Sequence, residues 1–197
     1  VEHVPLFAIR ATTRGSGKTL LADAISLLAT GRPAAKMPQA KDEAEERKRL
    51  LAIALDGAPL VVLDNVSGDL GTPALDLALT SLTFTDRLLG TNTTKEAPLE
   101  TVFLATGNQM TFRGDTARRV VPIDLLADVE HPEERTGFAH PQLLAYLTGQ
   151  RPLLVAPPCH EQRLELANRR TFEADHHVGE ALVVEVVLDP RAAEVAD

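Results

Sequence analysis

The residues of this chain whose types and spacing could do chemistry fall in four short runs. The first is Thr12-Thr13-Arg14-Gly15-Ser16-Gly17-Lys18-Thr19-Leu20. Two glycines ahead of a lysine and a hydroxyl residue let backbone N–H groups curl inward around anionic oxygens. A helix opening at Lys18 aims its positive end at the same point. In such a loop Lys18 reaches the β- and γ-phosphates of ATP, and the Thr19 hydroxyl ligates Mg²⁺. The eight-residue pattern begins with glycine; Thr12 stands there instead.

The second run, Leu60-Val61-Val62-Leu63-Asp64-Asn65, is an apolar strand ending in a carboxylate that can hold Mg²⁺ through water. The competing reading makes Asp64 a turn or cap residue. Many ATPases place Glu after this Asp to orient the attacking water. Asn65 is a weaker base, which leaves slow hydrolysis or service by another carboxylate. In the third run, Val102 to Asn108, a strand delivers Asn108 beside the phosphates, to orient water or sense the γ-phosphate. Its competing reading is a turn Asn favoured by left-handed geometry. The fourth, Asp115-Thr116-Ala117-Arg118-Arg119, carries two guanidinium groups suited to charge developing on a transferred phosphoryl. A surface salt bridge is the bland alternative.

These runs need elements to position them. Leu6 to Ile9 reads as a strand buried on both faces, and the residues after Lys18 have helical spacing, with Gly31 at the end and Pro33 beyond. Ala34 to Pro38 is ambiguous. Lys41 to Asp56 reads as a helix, with Asp42 and Glu45 as a capping box and Glu43–Arg47 and Glu45–Arg49 as i,i+4 pairs. Leu60 to Leu63 is a strand, and Thr72-Pro73 opens a helix through about Leu82. Asp86 to Leu89 and Leu99 to Thr106 read as strands around a hairpin tip, Gly90 to Pro98. Thr116 to Arg119 is a helical turn, Val120 to Leu125 a strand, and Pro141 to Leu147 a late helix. The alternation predicts an α/β sandwich with a mainly parallel sheet, whose ligands bind at the carboxyl ends of the strands. The first three runs directly follow strands and should converge on one edge.

Composition narrows the classes. At 197 residues with 44% hydrophobic side chains the chain can bury a core without staples. A formal charge of −8 argues against a broad basic face for DNA, so any nucleic-acid contact must be local. The lone cysteine, Cys159, excludes an internal disulfide and fits a reducing cytoplasm. No run of some twenty apolar residues predicts a membrane span, and Val1 to Arg10 is too short and too polar at its start for a signal peptide. The chain opens on Val1 rather than Met, which reads as a piece of a longer protein.

In this order the motifs resemble the helicase module of phage- and plasmid-type primase proteins, in the AAA+ and superfamily 3 helicase group. The likeness covers about Pro5 to Ala156. Thr13 to Asp23, Ala29 to Ala35, Leu63-Asp64-Asn65, Asp86 to Gly90, Ala105 to Asn108 and Asp115 to Val120 carry it. The resemblance implies an ATP-driven homo-oligomeric ring that moves on single-stranded DNA. It implies that Asp64 is the Walker B aspartate and Asn108 the first sensor. Arg118 and Arg119 would reach the ATP of the neighbouring subunit, and Lys95, the cation of the hairpin segment Thr91 to Glu96, would touch DNA. Thr12, Asn65 and the unmatched tail depart from the pattern.

The chain therefore divides into an expected P-loop ATPase domain, 1–156, and an unassigned extension, 157–197, within which Ala181 to Leu188 reads as a strand. His176-His177 with Glu173 and Asp175 is a poor metal site, because adjacent side chains point apart. Cys159 beside His160 lacks an activating partner. Two rivals to the motor remain: a module that binds nucleotide as a switch or scaffold with little hydrolysis, and a small-molecule kinase.

Overall fold

The computed structural model describes residues 3–126 and 131–155. Cys159, the His176-His177 group, the strand expected over Ala181 to Leu188 and the remaining extension lie outside the described residues.

Seven strands are described: β1 (Leu6–Ala11), β2 (Ala35–Pro38), β3 (Leu60–Leu70), β4 (Thr83–Arg87), β5 (Thr94–Pro98), β6 (Val102–Phe112) and β7 (Val120–Leu125). Five form one parallel sheet in the order β2-β3-β6-β1-β7. Near-continuous apolar sequence in β1 and in the first halves of β3 and β6 follows from this position, since a parallel sheet is covered on both faces. The ambiguous Ala34 to Pro38 segment resolves as the edge strand β2.

Helix α1 (Lys18–Thr30) covers one face, where Ala22 packs against Ile9, Val62 and Leu104. Helices α2 (Glu43–Asp56) and α3 (Pro73–Ala78) cover the other through Leu50, Ile53 and Leu75, packed with Leu6, Leu63 and Phe103. Helix α4 (Leu143–Leu154) lies on α1, with Leu147 against Ala24 and Leu27. The result is an α/β sandwich of three layers with α4 stacked outside. None of the described helices is long and apolar enough to cross a membrane.

Several boundaries differ from expectation. Strand β3 does not stop at Asp64-Asn65, nor β6 at Asn108. Both continue beyond irregularities, where Asn65 (φ 56°) and Gln109 (φ 49°) take left-handed backbone conformations. The chain past these kinks still packs on the α2/α3 side through Val66, Leu70 and Met110. Helix α3 ends at Ala78 rather than near Leu82, because the β-branched Thr83 and Thr85 fall in β4. Strand β4 pairs with Thr94–Pro98, not with Leu99 to Thr106, which belongs to the central sheet. Within α2 the Glu45–Arg49 pair forms at 3.1 Å, but Arg47 turns from Glu43 to grip Asp86 on β4 at 2.8 Å.

Candidate phosphate-binding site

Adjacent parallel strands β3, β6 and β1 end at one edge of the sheet. The register sets Ala11 and Ser67 on either side of Asn108, so the loop after β1 and the carboxylate on β3 meet there. Gly107 makes the approach possible: a Cβ at that position would lie 2.4 Å from the Val66 carbonyl oxygen.

The loop Thr12 to Gly17 leaves β1 and turns directly into α1. Gly15 (φ 72°) and Gly17 (φ 84°) occupy backbone conformations that β-carbons resist, and these are the two positions where the motif retains glycine. Thr12, by contrast, is not among the positive-φ residues, so its backbone makes no demand for glycine. The Ser16 hydroxyl donates to the Thr13 carbonyl and closes the loop. Helix α1 begins with no side-chain cap and no acidic residue in its first turn. Its first backbone bond runs from the Leu21 amide to the Gly17 carbonyl at 2.8 Å. The amides of Lys18, Thr19 and Leu20 are therefore free of helical partners, which is the electrostatic setting for an anion.

Lys18 and Thr19 stand at this helix start. Among the described residues Lys18 makes no ion pair, and partial burial holds its ammonium below the ordinary lysine range. Thr19 Oγ1 donates to Asp64 Oδ1 at 3.2 Å. Asp64 Oδ1 also accepts from Thr106 Oγ1 at 2.7 Å, and the Thr106 hydroxyl in turn accepts from the Asn65 amide at 3.0 Å. Thr106 is buried and fixes the carboxylate's orientation. In the sequence Thr106 stands in its motif without a role, marked by nothing more than a hydroxyl inside an apolar strand.

Asn108 lies on the same edge, and its Oδ1 is buried without a hydrogen-bond partner among the described residues. Such an acceptor is completed by a donor such as water. Asn65 is exposed, and its left-handed backbone is one that Asn tolerates better than Glu. The kink therefore accounts for the residue type there.

The sequence pattern leaves open which other carboxylate stands near the loop. Glu133, in the 3-10 turn Pro132–Glu134, leans on the loop: a Cβ at Gly15 would lie 2.7 Å from Glu133 Oε2. Beside the loop, Arg10 and Asp124 form a two-bond ion pair at 2.8 and 2.7 Å, in the wall of a half-open cavity of about 450 Å³ that also touches Thr12 and Gln109.

The two arginines lie elsewhere. They close the 3-10 turn Gly114–Arg119, and Val120, the next residue, pairs with Leu6 at the amino end of β1. The glycine loop leaves the carboxyl end at Ala11, about 17 Å away along the strand. Arg118 pairs with Asp115; Arg119 lies 3.6 Å from Asp76 and 3.8 Å from Asp115. Neither joins the Thr19–Asp64 group. Lys95 sits on β5 opposite Asp86, not in the exposed hairpin tip, which is Leu88 to Thr93. That corrects the expected tip, which extended to Pro98.

One hydroxyl and one carboxylate fit a cation that takes most of its ligands from water and phosphate. No group of three or more His, Cys, Asp or Glu poised for a metal occurs among the described residues. Fold and site together define an α/β chain whose parallel sheet presents a glycine loop, a lysine and a hydroxyl–carboxylate pair at one edge. No protein-family model matches the chain, and no curated protein matches it.

Proposed function

We propose that the chain folds as a P-loop NTPase sandwich of the AAA+/superfamily 3 kind and is the ATP-hydrolysing motor domain of a phage- or plasmid-type replicative DNA helicase or primase-helicase. The observation that carries this reading is the 3.2 Å contact between Thr19 Oγ1 and Asp64 Oδ1 beside the uncapped start of α1. A hydroxyl after a loop lysine and a carboxylate two strands away meet as joint holders of a cation require. The order β2-β3-β6-β1-β7, with loop, carboxylate and Asn108 on the inner three strands, and the β4–β5 hairpin ahead of β6 also support it.

In this mechanism the loop amides and Lys18 hold the β- and γ-phosphates. Thr19 and Asp64 would hold Mg²⁺, which when bound would neutralise charge on the phosphate oxygens. Thr106 keeps Asp64 in its orientation. Asn108 accepts a hydrogen bond from the attacking water and aligns it with the γ-phosphorus. The departing γ-phosphate leaves with the water's oxygen, and ADP is released. Arg118 and Arg119, at the other edge of the sheet, serve the nucleotide of an adjoining copy in a ring around single-stranded DNA.

Lys18→Ala is expected to abolish ATP turnover, and Arg118→Ala to lower it only in the assembled state. Molecular mass in solution, with and without ATP and single-stranded DNA, should report a nucleotide-dependent ring. Unchanged turnover in the lysine variant would refute the reading. A second reading, a nucleotide-binding switch with little hydrolysis, draws on Asn65, which carries no carboxylate. Tight ATP binding without DNA-stimulated turnover would favour it.

A further inference from the structure

The two arginines of the turn Gly114–Arg119 are neighbours in sequence but not in environment. In a 3-10 helix successive side chains diverge by a third of a turn. Arg119 faces inward: its side chain is 30% exposed, and its Nη1 is buried without a hydrogen-bond partner among the described residues, 3.6 Å from Asp76 Oδ1. Asp76 Oδ1 also accepts from the hydroxyl of the fully buried Thr116 at 2.6 Å. Thus one carboxylate on α3 accepts a hydrogen bond from one point of the turn and faces the charge at another. Arg118 faces out: its side chain is 79% exposed, and its partner Asp115 is itself 53% exposed. Such a surface pair is weak and exchangeable.

We propose that Arg118 alone is the arginine that reaches a neighbouring subunit's triphosphate, and that Asp76, with Thr116 and Arg119, is the positioning group that aims it. This rests on the ATPase reading and decides between two residues that reading leaves equal. Arg118 can leave Asp115 for a phosphate without disturbing packing. Arg119 cannot turn outward without taking from Asp76 its ion-pair partner among the described residues. The planar fork of Arg118 matches phosphate oxygens in a way a lysine does not, whereas a charge facing Asp76 is all that Arg119 must supply.

The test is steady-state ATP turnover by the assembled full chain, with thermal midpoints for each variant. Arg118→Ala and Arg118→Lys should both lower kcat by about 10³-fold or more, with KM for ATP and the thermal midpoint unchanged. Arg119→Ala should lower the midpoint, and Arg119→Lys should restore both midpoint and turnover. Asp76→Asn, which still accepts from Thr116 but loses its charge, should lower kcat roughly tenfold at unchanged KM. Mixing Arg118→Ala with Lys18→Ala subunits should recover turnover, because mixed interfaces pair an intact loop with an intact arginine. Turnover retained by Arg118→Lys and lost in a fully stable Arg119→Lys would overturn the assignment. So would mixtures that stay inactive when Lys18→Ala alone is dead. An active Lys18→Ala chain would instead sink the ATPase reading itself.

Discussion

At the carboxyl edge of the sheet, Thr19, Asp64 and Thr106 make one hydrogen-bonded group from three different elements. Toward the amino edge, Asp76 of α3 accepts a hydrogen bond from Thr116 and faces the Arg119 guanidinium at 3.6 Å. The first group is drawn together by strands whose spacing is set by backbone ladders, and it surrounds a loop with free amides. The second surrounds nothing; it braces a short turn and leaves Arg118 in solvent. Under the proposed function the first group belongs to the chain's own anion site, and Arg118 is the side chain offered to a neighbour's. About 17 Å of strand separates the loop from the level of Val120, the residue that follows Arg119.

The sharpest way to break the comparison is at Asp64. Asp64→Ala removes the acceptor shared by Thr19 and Thr106, and turnover at saturating ATP should fall to background. Colorimetric phosphate release measures this. Thr106→Val leaves the ladder intact but frees the carboxylate, and activity or Mg²⁺ affinity should drop about 10- to 100-fold, read from a magnesium titration of turnover. A wild-type response would reduce Thr106 to packing. Gly15→Ala forces a β-carbon into positive φ, at about 1–2 kcal/mol, and against Glu133. Loss of ATP binding with a lowered thermal midpoint is expected. The smallest effect lies away from both edges. Burial raises the Glu46 pKa, opposed by the hydroxyl that Thr72 donates. A carboxyl group whose folded pKa lies above its unfolded value weakens the fold as pH rises through that window. Glu46→Gln should therefore raise the midpoint at neutral pH by about 2–4 °C. The gap should close as pH falls below the ordinary glutamate range; a gap that widens on acidification contradicts the assignment.

Much of the carboxyl edge was legible from local pattern. Gly15, Gly17, Lys18 and Thr19 sit between an apolar run and a helical period, and Asp64 and Asn108 each follow a buried run. What escaped had no local signal. The onward course of β3 and β6 depends on left-handed Asn65 and Gln109, whose conformations hydrophobicity does not encode. Thr94–Pro98 is mostly exposed and becomes a strand by pairing with β4, so Leu99 to Thr106 looked like the better partner. Arg47 chose Asp86 over its helical neighbour Glu43 because tertiary packing brought β4 beside α2. Glu133 is far along the chain from Gly15, and nothing around it announces the loop it touches. Asp76 likewise reads as an ordinary first-turn acid until Thr116 and Arg119 are seen against it.

Binding of ATP with Mg²⁺, followed by calorimetry on wild type and on Lys18→Met, bears most directly on the phosphate site. Partial burial lowers the Lys18 pKa, so the loop carries a charge that desolvation disfavours and a phosphate would welcome. Wild type should bind with an affinity that collapses when Mg²⁺ is chelated, while Lys18→Met should not bind yet melt at or above the wild-type midpoint. Equal binding by the two proteins, or none by wild type, would contradict the assignment of this edge to a nucleoside triphosphate.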